Sequence, residues 1–230
     1  MATDLRENKV TQSNSLIEAS YKLSLEEKRL VIVAISKIDS RKTLPPVIEI
    51  TAAEYAALFG LKIQAGYQQL DDASNKLYER DIKFKEGKAL TRQRWIHRAK
   101  YYPGEGRVEI SFSPTLYPYI SEIKDNFTSY QLTNVKQLKS IYSIRLYELL
   151  WKYISEGRRW ISIADLRSMF ELEEKYEKYA DLRKCVIEPA LAEINEKTNL
   201  DVRFEPEKQG RVVVKLWFHF TEKKQSAFMF

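Results

Sequence analysis

The chain carries one phrase twice. Ile50-Thr51-Ala52-Ala53-Glu54-Tyr55-Ala56-Ala57-Leu58-Phe59-Gly60-Leu61 returns as Ile161-Ser162-Ile163-Ala164-Asp165-Leu166-Arg167-Ser168-Met169-Phe170-Glu171-Leu172, with hydroxyl, acid and apolar residues in one register. Each copy continues into Tyr-x-x-Leu, at Tyr67 to Leu70 and Tyr179 to Leu182. Each then reaches a strand opening Asp-aliphatic-basic-Phe, at Asp81 to Phe84 and Asp201 to Phe204. A repeat of this length points to two copies of one module. Within each copy the order is helix, short strand, helix, turn, helix and basic hairpin, which is that of a winged helix-turn-helix. The expected fold class is α+β, two tandem winged helix-turn-helix domains, and the expected ligand is DNA.

The chain's 230 residues leave room for two domains of roughly 100 residues each, and 44% hydrophobic content suffices for two cores. The longest apolar run, Leu30 to Ile35, is far short of the roughly 20 residues of a membrane span. The N-terminus also lacks an apolar signal segment, so the expectation is a cytoplasmic protein with no membrane partner. The single cysteine, Cys185, excludes an internal disulfide and a cysteine-based zinc site. A net charge of +6 favours an anionic partner, and its distribution is more telling than its size. Lys83, Lys85, Lys88, Arg92, Arg94, Arg98 and Lys100 stand in one short stretch, against Asp81 and Glu86.

Local signals place the elements. Ser24 and Glu27 have capping-box spacing, and the helix they open turns Leu30, Val33, Ala34 and Ile38 inward and stops before Pro45-Pro46. Thr51 caps the next helix and Gly60 ends it. A third helix is expected after Gly66, burying Leu70, Ala73, Ser74 and Leu77 and leaving Gln68, Gln69, Asp72, Asn75 and Lys76 outward. In the hairpin that follows, Ile82 and Phe84 oppose Lys83 and Lys85. In its next strand Trp95, Ala99 and Tyr101 oppose Arg92, Arg94, Arg98 and Lys100. Residues 102–106 read as a turn and 107–112 as the returning strand.

In the second copy, helices over 140–155 and 178–198 flank a short strand and a helix capped by Ser162, and Pro189 is expected to kink the last helix. Val212, Val214, Leu216, Phe218 and Phe220 alternate with Arg211, Lys215, Trp217 and His219. The domains are expected at 1–125 and 126–222, with a frayed tail over 223–230.

Enzymatic chemistry finds no support. No G-x-x-x-x-G-K-[ST] phosphate cradle occurs, and the two histidines, His97 and His219, lie on separate hairpins and so form no nuclease-type metal cluster. They read as packing or phosphate contacts, and no cofactor or metal is expected. DNA binding has a mechanism instead: the third helix reads base edges in the major groove while the hairpin follows phosphates. Lys178, Arg183 and Lys184 lie on the outer side of the second copy's third helix and are the candidate readers. Lys83, Lys85, Arg92, Arg94, Arg98, Lys100, Arg211 and Lys215 are the candidate hairpin contacts. The first copy's third helix is nearly neutral, so that copy is expected to clamp. Tyr179 matches Tyr67, which favours packing over base contact. Glu173, Glu174 and Glu177 weaken the second copy's attraction.

Five stretches carry a family likeness. They are residues 14–29 (NSLIEASYKLSLEEKR), 54–60 (EYAALFG), 127–132 (FTSYQL), 142–150 (YSIRLYELL) and 188–197 (EPALAEINEK). In this order they resemble the plasmid replication initiator (Rep) family, the iteron-binding initiators of theta-replicating plasmids, and the likeness covers about residues 10 to 221. The resemblance implies two winged-helix domains, with direct origin repeats bound by the monomer and an inverted repeat bound by a homodimer that represses its own gene. It implies recruitment of the host initiator ATPase and replicative helicase. It also implies dimerisation and DNA contact by the first domain and base reading by the second domain's recognition helix, on which Lys178, Arg183 and Lys184 fall. The competing reading is a plasmid-borne repressor of the same fold without initiation activity, and a more distant one is a nicking enzyme.

Overall fold

The structure, a computed structural model, describes residues 5–172 and 174–223. It divides into two units between Lys136 and Gln137. That is later in the chain than the 125/126 boundary expected from the sequence, and strand pairing is the reason. The strand β1 (Lys9–Ser13) pairs antiparallel with β8 (Phe127–Gln131), setting Val10 opposite Tyr130, and both of these are buried.

Between those strands the first unit runs α1 (Asn14–Glu18), β2 (Ser20–Tyr21), α2 (Leu25–Ser36), β3 (Ile48–Thr51), α3 (Ala52–Phe59) and α4 (Ile63–Tyr78). It continues with β4 (Asp81–Glu86), β5 (Ala89–Arg94), β6 (Ile96–Tyr102), β7 (Arg107–Phe112) and α5 (Tyr117–Ile120). The expected capping box opens α2: the Glu27 amide donates to Ser24 Oγ at 3.2 Å and the Ser24 amide to Glu27 Oε2 at 2.6 Å. This helix is buried all round rather than along one stripe, from Glu27 to Ser36. Its buried Glu27 carboxylate is also held by Arg80 at 3.0 Å, as a charge so placed must be.

Helices α3 and α4 form the helix-turn-helix. Thr51 caps α3, and Gly60 ends it at φ +66°, where the Leu61 amide reaches back to the Ala56 carbonyl at 2.9 Å in a Schellman closure. The third helix begins at Ile63, earlier than the sequence suggested, so Gly66 lies inside it. A Cβ at Gly66 would come within 2.9 Å of Ala56 Cβ and 3.0 Å of the Ala52 carbonyl. Glycine here permits two helices to cross closely and does not mark a helix start.

The single long hairpin read from the sequence is in fact two. Strands β4 and β5 form one, in a sheet ordered β2-β4-β5; β6 and β7 form the other, in a sheet ordered β3-β7-β6. The chain changes sheets at Trp95, which is fully buried and edge-on to Tyr21 with ring centroids 5.0 Å apart. The β6–β7 hairpin, pairing with β3 in front of the helix-turn-helix, is the wing.

The second unit runs α6 (Ile141–Trp151), β9 (Arg158–Ser162), α7 (Ile163–Met169), α8 (Tyr179–Leu182), a π-turn over Arg183–Ile187, α9 (Glu188–Lys197), β10 (Leu200–Gln209) and β11 (Val212–Glu222). Its sheet is ordered β10-β11-β9, the arrangement of β6-β7-β3 in the first unit. The repeated phrase thus folds the same way twice. Ser162 Oγ accepts from the Asp165 amide at 2.9 Å as Thr51 does from Glu54, and the Leu172 amide reaches Arg167 as Leu61 reaches Ala56. Glu171 occupies the left-handed position, φ 49°, that Gly60 fills in the first copy.

Pro189 produces a π-turn immediately before it. The Glu188 amide bonds the Arg183 carbonyl, five residues back, so the helix widens by one residue ahead of a position that can donate no bond. Lys223, which the sequence assigned to a frayed tail, is tied down. Its amide donates to the Asn199 carbonyl at 2.8 Å and its Nζ to the Thr198 carbonyl at 2.9 Å. The rest of that tail, residues 224–230, and Glu173 lie outside the described residues.

Candidate nucleic-acid interface

In the second unit the turn before the recognition helix is held by one side chain. The Arg167 guanidinium donates to the carbonyls of Leu172 (2.9 Å), Lys175 (2.7 Å) and Tyr176, fixing where α8 begins. Along α8 and the π-turn Leu182, Val186 and Ile187 are buried, while Lys178, Asp181, Arg183, Lys184 and Cys185 are exposed. All three candidate readers therefore face solvent. The side chains of Lys178 and Lys184 make no hydrogen bond or ion pair among the described residues. Arg183 does: its Nε lies 2.7 Å from Glu188 Oε1. In an α-helix residues five apart diverge around the axis, and the π-turn brings this pair together. Tyr179, as its match to Tyr67 suggested, packs: its hydroxyl is buried, and burial pushes the phenol upward.

The second unit's wing is a long ribbon. Leu216, Phe218 and Phe220 are buried as expected, but Val212 is 65% exposed, because the ribbon's far end projects beyond the helices. Arg211 stands exposed in the turn at that end. Lys215 is less available than the sequence implied. It lies 3.2 Å from Glu207 and 5.1 Å from the Trp160 ring centroid. A hydrogen bond from Trp217 Nε1 (2.8 Å) and the Lys215 contact hold the Glu207 carboxyl below its usual range. Strand register adds two cations that the sequence reading passed over: Arg158 and Arg203 stand opposite His219 from either side. Alternation in β10, with Leu200 and Val202 buried, marks Arg203 as outward-facing, whereas Arg158 comes into line only through strand register.

The first unit's cations divide between two hairpins and meet carboxylates there. Arg92 pairs with Asp81, and Arg94 lies 3.3 Å from Glu79 and 3.4 Å from Asp81. Arg98 lies 3.1 Å from Glu109, and Lys100 sits over the Tyr102 ring at 4.3 Å. Arg107 contacts Glu105 (2.7 Å), Glu49 (2.9 Å) and Glu109 (2.9 Å). The Tyr102 hydroxyl does most to lower the Glu109 carboxyl; burial opposes it, and Arg107 and Arg98 add further lowering. Lys85 and Lys88 remain exposed, and Lys83 is half-buried. The stretch that seemed most strongly basic in sequence is thus partly neutralised by residues outside it, Glu79 and Glu109, and the expectation of one uninterrupted cationic face is corrected.

On α4, Leu70, Ala73, Ser74 and Leu77 are buried as expected, and Gln64, Gln68, Asp72 and Asn75 face out. Gln64, Tyr67, Gln68, Asp71, Tyr101 and Gly104 line an open crevice of about 360 Å³ between this helix and the wing. The wing is seated on α4 at Gly106, where a Cβ would fall 2.1 Å from the Tyr67 hydroxyl oxygen.

Two family descriptions match the chain: "Initiator Replication protein, WH1" over residues 9–151, and "Initiator Rep protein, WH2" over residues 162–220. The PI protein of Escherichia coli is 29% identical over 256 residues, an alignment taking in 94% of this chain and 83% of that protein. An Escherichia coli "Replication initiation protein" is 24% identical, over 94% of this chain and 70% of its own length. Among solved structures, the Pi initiator protein in complex with iteron DNA superposes with a TM-score of 0.83 at 28% identity, covering 96% of this chain and 99% of that one. Both winged-helix modules read from the repeated phrase fall within these matches, and the chain belongs to the initiator replication protein family.

Proposed function

We propose that this protein initiates plasmid replication by binding directly repeated origin sites, iterons, in duplex DNA. One observation carries the reading: the chain shares its fold, over nearly its whole length, with a Pi initiator captured on iteron DNA. In the proposal α8 and the π-turn enter the major groove with Lys178, Lys184 and Arg183 toward base edges. Arg211 and the outer face of β10 and β11 follow phosphates, as do Lys85, Lys88 and the less available cations of the first unit. The first unit carries dimerisation and backbone contact, the second the sequence-specific contacts, and the work is done in the cytoplasm without catalysis.

We also infer that a dimer represses the gene from an inverted repeat, and that the bound monomer recruits the host initiator ATPase and helicase. Dimerisation is supported by β5, the edge strand of its sheet, whose residues are exposed apart from Gln93; such an edge accepts a strand from a second copy. The test is replication itself. DNA flanking the gene, cloned as the only origin of a selectable circle, is expected to be maintained only when the protein is supplied. Binding and repression without maintenance would reduce the protein to a repressor. Cation-dependent nicking of that DNA by the purified protein would replace the non-catalytic reading.

A further inference from the structure

The face of the second unit's sheet that is turned away from its helices differs from its counterpart in the first. In the first unit Glu49 and Glu109 stand opposite each other on that face, and both are tied to Arg107. Setting Ile161 on Ile50 puts Trp160 where Glu49 stands, with Trp217 opposite it in the place of Glu109. A closed network of charges has become a pair of indoles. Trp160 is 49% exposed. The two rings are not stacked on each other; Lys215 Nζ lies over Trp160, and Glu207 holds Trp217 by its Nε1. In the neighbouring row across the sheet stand Arg158, His219 and Arg203. Both arginines are exposed, and their side chains make no hydrogen bond or ion pair among the described residues.

The fold does not ask for this arrangement, because the first module closes the same face with ion pairs. Nor does the recognition segment use it. Arg183 lies 5.9 Å from the ring of Phe204, and Phe204 packs against buried Phe218 on the inner side of the sheet. The indoles point the other way. They are also distinct from the far end of the ribbon, around Arg211, which is the part suited to phosphates. Around the indoles Asp201, Glu205 and Glu207 match Arg158, Arg203 and Lys215 in number, so a polyphosphate gains no net attraction there. Exposed tryptophan beside unpaired arginine is instead the composition of a protein-binding centre. The carboxylates all lie on β10, whereas Arg158 lies on β9, two residues from Trp160 and on the same face. A ligand bearing carboxylates is therefore favoured on the β9 side.

From this juxtaposition we propose that the sheet face around Trp160 and Trp217 docks an acidic segment of another protein, whose apolar side chain rests on Trp160 while its carboxylates pair with Arg158 and Arg203. The two arginines stand on strands separated by β11, so their backbones are roughly 10 Å apart, and the segment needs acids on both sides of its apolar residue. The site lies apart from the surface that α8 offers to DNA, and the proposal goes beyond the DNA-binding reading without depending on it.

The test is a titration of the full chain followed through its indole N–H resonances. The probe is a synthetic peptide with one phenylalanine between pairs of glutamates. The resonances of Trp160 and Trp217 are expected to shift together and to saturate, while that of Trp95, buried in the first unit, stays fixed. Peptides with lysines in place of the glutamates, or glycine in place of the phenylalanine, should bind at least about 10-fold more weakly, as should the acidic peptide to Trp160→Ala. Arg158→Glu should turn the preference toward the lysine peptide. An unchanged Trp95 resonance shows that each variant is folded, and Trp160→Ala should keep the affinity of the original protein for duplex DNA. If the peptides bind without regard to charge, or none moves the two indoles, the proposal is overturned. It is overturned as well if a duplex or single-stranded oligonucleotide moves them and the acidic peptide does not, since the face then belongs to nucleic acid.

Discussion

Single residues decide how much of the charge on this protein is available to DNA. Lys184 is exposed and unpaired among the described residues, and Arg211 stands exposed in the ribbon's turn. Lys184→Ala is therefore expected to cost about 1–3 kcal/mol on the preferred site and to relax base preference, whereas Arg211→Ala should weaken all duplexes alike and lower the salt slope by about one. Competition binding at several salt concentrations separates the two. Arg183 behaves differently because Glu188 holds it. Glu188→Gln removes that carboxylate charge, and titration of a labelled duplex should show binding tightened by up to about 1 kcal/mol, the scale of an exposed ion pair. Backbone conformation sets a residue-scale cost as well. A Cβ at Gly60 would meet nothing within 4 Å, but φ is +66°, so in urea titration Gly60→Ala should lose about 1–2 kcal/mol from backbone strain alone.

At the scale of elements, the caps and turns of the repeated phrase were legible because each is a local contact: Ser24 with Glu27, Thr51 with Glu54, Ser162 with Asp165, Gly60 after α3. What could not be read is what joins residues far apart in the chain. The Arg98–Glu109 and Arg94–Glu79 pairs depend on which strands lie side by side, and the division of one apparent hairpin into two depends on Trp95 entering the core. The π-turn shows a different limit. An α-helical wheel drawn through Arg183 to Ile187 loses phase by one residue, which hid the Arg183–Glu188 pair. In sequence Gly66 has the look of a helix start, yet it serves the crossing of α3 and α4. Gly66→Ala should lower the thermal midpoint despite the better helix propensity of alanine, at about 1–3 kcal/mol for the contact with Ala56.

The wing of the first unit responds to acid. Because its ties to Tyr102, Arg107 and Arg98 lower the Glu109 carboxyl, its contribution is complete above the ordinary carboxylate range and disappears as pH falls through the lowered value. Glu109→Gln should therefore lower stability at neutral pH and flatten the acid limb of a thermal-midpoint profile. An unchanged acid limb would mean that the network does not hold the wing.

The whole molecule consists of two modules with one fold and unequal surfaces. The sequence separated them by charge, assigning clamping to the first and reading to the second. In the structure the first unit's arginines are largely occupied by Asp81, Glu79, Glu49, Glu105 and Glu109, while its third helix exposes amides and an isoleucine. The second unit keeps exposed lysines on its third helix and cations along its ribbon. The boundary between them was misplaced because β1 and β8, more than a hundred residues apart, close the first unit. Hydroxyl-radical footprinting of the purified protein on the DNA flanking its own gene tests the central claim most directly. Protection should recur in the same register at each of several short direct repeats and vanish when the repeats are scrambled; uniform protection, or none, would contradict it.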